Sequence, residues 1–367
     1  MTTTKNNEHK KLNAPNLRFP EFQGEWNSFL INDVCSEFKS GKNIKADSIS
    51  ESGEYPVYGG NGLRGYTSSY NHEGSYVLIG RQGALCGNVR SVYGKTYITE
   101  HAIAVAGNEK SNTNFLHYLF LKMNLGQYSD QSAQPGLAVN KLLKLKVALP
   151  IISEQTKIAK LLSLLDERIA TQNKIIEDLK KLKYAISKKL LCNDKWTTYK
   201  IQDIAEIGRG RVINSVEIDR QKHPLYPVYS SQTSNDGIMG YLDDYMFDGE
   251  YITWTTDGAN AGTVFYRNGK FNSTNVCGTL KIHSKFDCYF VSLVLQQATQ
   301  KYVSSNLANP KLMNNTMASI KIRMPDIETQ KRLSKVFQAL DGCLFIHQRT
   351  CEMYLKEKHY LLRQMFI

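Results

Sequence analysis

The 367-residue chain lacks the marks of most enzyme and membrane classes, and each absence narrows what it can be. Its cysteines (Cys35, Cys86, Cys192, Cys277, Cys288, Cys343 and Cys351) include no Cys-x-x-Cys pair and no Cys/His spacing suited to zinc. An odd, scattered set of this kind reads as buried thiols in a reducing cytoplasm. No apolar run approaches the roughly 20 residues of a membrane span. Residues 1–16, MTTTKNNEHKKLNAPN, have no apolar signal core and read as a disordered polar tail of a cytoplasmic protein. Gly94-Lys95-Thr96 ends like a phosphate-binding loop, but the first glycine of that motif would fall at Val89. The Asn/Asp-Pro-Pro-aromatic segment that amino-methyltransferases use is missing, since Asn309-Pro310 is followed by Lys311. The histidines form no metal set or triad; His101 reads as a packed strand residue and His347 as a structural helix residue. No catalytic residue, metal or cofactor is expected in this chain.

Negative charge is also in short supply. Lys and Arg number 46 against 34 Asp and Glu, a formal net charge of +12, which suits a polyanionic partner as well as it suits a merely basic protein.

What the chain does have is a long uninterrupted helical pattern. From Leu149 to Leu191 the only Pro or Gly is Pro150, and Ser153 with Glu154 supplies a cap and an anion for the helix start. Alternating steps of four and three residues select Ile158, Leu162, Leu165, Ile169, Gln172, Ile176, Leu179, Lys183, Ile186 and Leu190, the seam of a coiled-coil rod that runs from Ser153 to Leu191 over roughly 58 Å. Adding 175 to each gives Leu333, Phe337, Leu340, Leu344, His347, Cys351, Tyr354, Lys358, Leu361 and Met365. The polar interruptions recur in register: Gln172 with His347, and Lys183 with Lys358. Two long helices of one chain zipped together are predicted, with Gly342-Cys343 weakening one turn of the second.

The repeat extends beyond the helices. Trp26 and Trp196 each open a short helical pattern followed by a basic turn with glycine. Tyr55-Pro56-Val57-Tyr58 returns as Tyr226-Pro227-Val228-Tyr229, and residues 83–89 (GALCGNV) return as 258–264 (GANAGTV). Pro135, Pro150 and Gln155 are answered by Pro310, Pro325 and Gln330. Strands are expected at 75–79, 89–92 and 98–105, echoed at 251–254, 264–266 and 278–282, with a helix at 115–122 and at 290–297. The fold class is therefore α+β: a tandem pseudo-repeat of two mixed globular parts, each followed by a long helix. The expected division is a tail over 1–16, globular parts over 17–150 and 196–325, and rods over 151–195 and 326–367.

The repeat differs where polar loop side chains fall: GGNGLR in one copy against SSQTSNDGIM in the other, and Arg81-Gln82 against Thr256-Asp257. One scaffold presenting two recognition surfaces would look like this; so would neutral drift after duplication. Arg and Lys can neutralise phosphate or fork onto guanine, and Asn and Gln match the adenine edge. The candidates for DNA contact are Lys42, Asn43, Asn61, Arg64, Arg81, Gln82 and Arg90, then Arg209, Arg211, Ser231, Gln232, Asn235, Asp257, Asn260 and Arg267. For any one of them a solvated surface residue is the default reading; their placement on matched turns is what gives the set weight. Asp257 would be costly in a DNA cleft unless it accepts from a cytosine amino group. Lys174, Lys180, Lys181, Lys183, Lys188 and Lys189 on the first rod could bind phosphate too.

Leu17–Phe22 (LRFPEF) leading into Trp26, together with LPIISEQTKIAKLLSLLDERI at 149–169 and its degenerate copy MPDIETQKRLSKVFQALDGCL at 324–344, resembles the specificity subunit of type I restriction–modification enzymes. The resemblance implies two target recognition domains held by an antiparallel pair of helices, each reading half of a bipartite, asymmetric site in double-stranded DNA. It also implies that catalysis lies elsewhere. Two modification subunits would bring S-adenosylmethionine and methylate adenine, and restriction subunits would bring ATP and Mg. A free-standing DNA-binding regulator or a protein-binding coiled-coil scaffold are the alternatives.

Overall fold

The computed structural model describes residues 13–130, 135–191, 193–304 and 309–367; Cys192 and most of the expected tail lie outside them. The first copy runs β1 (Asn27–Leu30), α1 (Ile31–Val34), β2 (Cys35–Ser40), β3 (Tyr55–Gly59), β4 (Gly62–Thr67), β5 (His72–Gly80), β6 (Val89–Ile98) and β7 (Ala102–Gly107). It continues with α2 (Thr113–Met123), α3 (Val139–Leu143), β8 (Lys146–Leu149) and α4 (Ile152–Leu190). The second copy runs β9 (Thr197–Lys200), α5 (Ile201–Ile204), β10 (Ala205–Arg209), α6 (Ser215–Asp219), β11 (Tyr226–Tyr229), β12 (Ile238–Leu242) and β13 (Glu250–Thr255). Then follow β14 (Val264–Asn268), β15 (Asn272–Ser273), β16 (Cys277–Ile282), α7 (Cys288–Ala298), α8 (Asn314–Ser319), β17 (Lys321–Met324) and α9 (Ile327–Gln364).

The chain divides into two compact units that are not consecutive in sequence: residues 1–173 with 348–367, and residues 174–347. Each unit therefore owns half of α4 and half of α9. In the first unit Lys358 pairs with Asp166, the Arg168 guanidinium faces Tyr354, and Cys351 Sγ lies 3.5 Å from Asn173 Oδ1. In the second unit Lys183 pairs with Asp341. Partner numbers fall on one helix as they rise on the other, so the two helices form an antiparallel coiled coil. All the seam positions named above are buried or half-buried, Gln172 and His347 included, and α9 continues unbroken through exposed Gly342 and Cys343.

In the first unit a six-stranded sheet runs β2-β7-β5-β6-β3-β4, antiparallel except where β3 meets the end of β6. α2 starts where the Asn112 side chain accepts from Phe115 N, and it buries Phe115, Leu116, Leu119 and Phe120 in the main core. Buried Trp26 meets Phe115 and Phe366 edge-on there, at 6.0 and 6.4 Å between ring centroids. β1 pairs with β8, closing the globular part at its two ends.

In the second unit the same strands form two sheets, β10-β16-β13-β14 and β12-β11-β15. The counterpart of β6 is broken here. Gly94 and Gly269 occupy the same repeat position and both take left-handed backbone (φ 81° and 99°), which a β-carbon would resist. In the first unit β6 carries on past that kink, pairing Thr96 with His72. In the second the corresponding residues are Phe271 and Phe247, stacked at 5.0 Å, and the ladder is interrupted around them.

Several expectations are corrected. The strand foreseen over 98–105 is two strands separated by a turn in which Ala102 N donates to Thr99 O. The helical patterns after Trp26 and Trp196 are each strand, one helical turn and strand, because a single turn suffices to bury Ile31 and Val34, or Ile201 and Ile204. Ser153 lies inside α4 and does not cap it, whereas Glu154 stands in the first turn as expected and also accepts a two-pronged bond from Arg18 (both 2.7 Å). The described end of the expected tail is ordered into the first unit: Asn13 exchanges hydrogen bonds with Trp26, and Asn16 reaches Gln364. Of the rod lysines, Lys183 is engaged by Asp341 and Lys181 by Glu177. No helix among the described residues is long and apolar enough to cross a membrane.

Candidate nucleic-acid interface

In the first unit the candidate residues converge on the turn between β6 and β7. The β3–β4 hairpin ends in the pair Gly59 and Gly62, with exposed Asn61 at its tip. Two arginines lie across those glycines. A β-carbon at Gly59 would meet the Arg64 side chain at 2.8 Å, and one at Gly62 would meet the Arg90 guanidinium carbon at 2.9 Å. Gly60 in turn sits against His101 O and Gly80 Cα. Arg81 is fixed by its backbone, donating to His101 O (2.9 Å) and accepting from Leu137 N (2.9 Å). Gln82 Oε1 lies 3.2 Å from His101 Nδ1. Lys42 N donates to Ile98 O (3.0 Å), and Tyr97 OH donates to Asn43 O (2.9 Å).

Lys42, Asn43, Asn61, Arg64, Arg81, Gln82 and Arg90 are thus brought together by one set of turns. Among the described residues no carboxylate pairs with Arg64, Arg81 or Arg90, so their charge is available to a polyanion. His101 is not the packed strand residue expected from the sequence. It stands in the turn, half-exposed, between Gln82 and Glu100, whose Oε1 lies 3.1 Å from His101 Nε2. Glu100 was missed because an isolated acid between two strand-like runs carries no motif.

The second unit rebuilds the same backbone with different chemistry. Arg211 N donates to Ser273 O as Lys42 N does to Ile98 O, and Gly258 N donates to Pro310 O (3.0 Å) as Gly83 N does to Pro135 O (2.9 Å). Gln82 bridges to Gly136, and Asp257, its repeat counterpart, to Lys311. Here, however, the charges are answered within the protein. Arg211 forks onto Glu217, and its cation holds that carboxyl below the usual range. Asp257 accepts from Thr256 Oγ1 (2.8 Å) and faces Lys311 Nζ at 3.6 Å. Half-buried Arg209 donates to Asn314 Oδ1 (3.3 Å), and Gln232 turns back onto Ile238 O.

Arg267 is the clear correction. It is 4% exposed, donates to Asp236 and Thr253, and lies 3.6 Å over the Tyr229 ring, so it is part of the framework and does not face solvent. Asn235 and Asn260 remain exposed on loop tips, and Ser231 is half-exposed. Among the described residues, no group of three or more His, Cys, Asp or Glu could hold a metal ion.

Comparison with known proteins matches this architecture. The type I restriction modification DNA specificity domain matches residues 23–181 and again 193–352. The specificity subunit of the type I restriction enzyme MpnII from Mycoplasma pneumoniae is 43% identical over 150 residues, 41% of this chain and 45% of the relative. The EcoprrI specificity subunit from Escherichia coli is 42% identical over 154 residues, 41% of this chain and 38% of the relative. A type I restriction–modification S subunit from M. genitalium shares the fold, with a TM-score of 0.79 at 18% identity over 96% of this chain and 99% of that one. With the domain matched twice on paired long helices, the chain belongs to the type I restriction–modification specificity subunits and carries two recognition domains.

Proposed function

We propose that this chain reads a bipartite, asymmetric sequence in double-stranded DNA for a cytoplasmic complex, one half-site per recognition domain. Two modification subunits and the restriction subunits would dock on it. S-adenosylmethionine, ATP and Mg would enter with those partners, and the chain itself would carry no chemistry. The observation that supports this best is the matched pair of turns. Backbone bonds from Gly83 to Pro135 and from Gly258 to Pro310 hold equivalent loops, which carry Arg81 and exposed Gln82 in one unit but buried Thr256 and half-buried Asp257 in the other. Equal frameworks with unequal side chains are what two different half-sites require. α4 and α9 run unbroken over 39 and 38 residues, and helices of that length would serve to set the gap between half-sites.

The unpaired Arg64, Arg81 and Arg90 suit phosphate or guanine. In the second unit, pre-paired charges leave base reading to exposed amides. The complex assembled with its modification subunits, offered a pool of random duplexes, should enrich one motif of two half-sites with a constant gap. Equal enrichment without this chain, or a motif with a single block, would contradict the reading.

A further inference from the structure

The hairpin tip between β11 and β12 holds three consecutive residues in left-handed backbone: Asn235 (φ 50°), Asp236 (φ 54°) and Gly237 (φ 80°). Glycine adopts this freely, whereas for the other two it is strained and persists only where neighbours over-determine it. The neighbour here is Arg267 on β14. Its Nη1 donates to Asp236 Oδ2 (2.7 Å), its Nη2 to Asp236 O (2.8 Å) and its Nε to Thr253 Oγ1 (3.2 Å). The guanidinium lies 3.6 Å over the Tyr229 ring and 4.4 Å over the Phe265 ring, and Gly237 fits because a β-carbon there would stand 3.2 Å from Nη2. Ser230 N to Gly237 O (2.9 Å) and Gln232 Nε2 to Ile238 O close the loop from the other side.

The first unit has none of this. Its hairpin is four residues shorter, and the residue at the position of Arg267 is Val92, buried among apolar side chains. The longer loop and the arginine beneath it occur together in one copy only. Drift after duplication would not be expected to supply a strained loop and its clamp at once. The arginine also neutralises Asp236, whose exposed carboxylate would otherwise repel a phosphate backbone.

At the tip stands exposed Asn235. Its Nδ2 makes only a long contact to Ile238 O (3.4 Å), which leaves Oδ1 and one amide hydrogen without a partner among the described residues. A side-chain amide held this way matches the N6 and N7 edge of adenine. Resting on the reading of the chain as a specificity subunit, we propose that Asn235 determines one adenine position of the second half-site and that Arg267 is its positioning residue.

The test compares methyladenine maps from the complex assembled with wild-type chain, N235A, N235G, R267K and R267M. N235A and N235G should each leave the first half-site and the gap unchanged while one position of the second half-site loses its adenine preference at least tenfold. N235G should melt no lower than wild type, because glycine relieves the strained backbone. R267K keeps a cation but cannot fork onto Asp236, so it should blur the same position with an unchanged salt dependence. A motif that survives N235A and N235G intact overturns the proposal, as does R267K lowering affinity equally at every position. Should R267M fail to fold, the Asn235 variants decide alone. Failure of the wild-type complex to give any bipartite motif overturns the specificity reading itself, so the two failures are distinguishable.

Discussion

Lys183 on α4 pairs with Asp341 on α9, and Lys358 on α9 pairs with Asp166 on α4: one ion pair, made twice, with the two helices exchanging roles. The second oxygen of each aspartate accepts from a tyrosine of the adjoining globular part, Tyr118 to Asp166 (2.9 Å) and Tyr289 to Asp341 (2.6 Å). Burial and the neighbouring carboxylate push both phenols well above their ordinary range, which keeps them donors. The charged breaks in the seam thus fix the helix register and tie each unit to its own stretch of coil. Half-exposed pairs contribute modestly, so Asp341→Ala should cost about 1–2 kcal/mol, most of it from Lys183 and Tyr289 left without their acceptor. Urea unfolding of D341A, K183A and the double variant would show a coupling of at least about 0.5 kcal/mol if the pair works as described.

Gln155 and Gln330 fix the start of each helix. Gln155 Oε1 accepts from Asn112 N (2.8 Å), and its Nε2 donates to Pro150 O (2.8 Å) and Lys110 O (2.9 Å); Gln330 makes the matching bonds to Asp287 N and Pro325 O. Gln155→Ala strands buried backbone groups and should lower stability by roughly 2–3 kcal/mol. Gln155→Glu keeps the acceptor and loses the two donated bonds, so it should also destabilise. Thermal melts of both variants check this.

His117 gives the first unit a pH dependence. Burial chiefly, and then the Lys358 cation, hold its pKa down at about 4, while nearby Asp166 opposes them. The unfolded chain takes up a proton near the ordinary value of 6.5, well before the folded unit does. Stability is therefore full above about 6.5 and falls as pH drops toward 4, by roughly 3 kcal/mol in all. Among the described residues Nδ1 is buried with no partner, so His117→Leu should flatten this slope with little loss at neutral pH. The urea midpoint as a function of pH reads both effects.

Arg64, Arg81 and Arg90 should show in the salt dependence of binding. Each phosphate contact contributes about −0.9 to the slope of log affinity against log salt. The triple alanine variant should bind more weakly, with a slope shallower by up to about 2–3. Fluorescence anisotropy of the assembled complex across salt concentrations measures it, and an unchanged slope would assign these arginines to base edges or to no contact.

Much of this was legible in the sequence. The four-three spacing located the seam, and the 175-residue offset carried from α4 to α9 and from α2 to α7. The roles of its polar members were not legible, because Lys183 finds Asp341 only once the antiparallel register is set. Arg267 misled for a related reason: a basic residue on a strand looks solvent-facing until the residues that cover it are known. One signal was present, since its repeat counterpart is apolar Val92. Glu100 and the exposed face of His101 come from the turn that splits the expected 98–105 strand, and a run of β-branched residues conceals such turns.

If two matched recognition domains on this chain choose the site for partners that carry the chemistry, methylation in the cell must depend on it. Expressing this chain with its modification subunits in a methylation-free host, and mapping methyladenine across the genome, tests it most directly. A single two-part motif with a fixed gap, lost when this chain is omitted, is the expected result. Methylation that persists unchanged without the chain, or none from a complex that assembles, would contradict it.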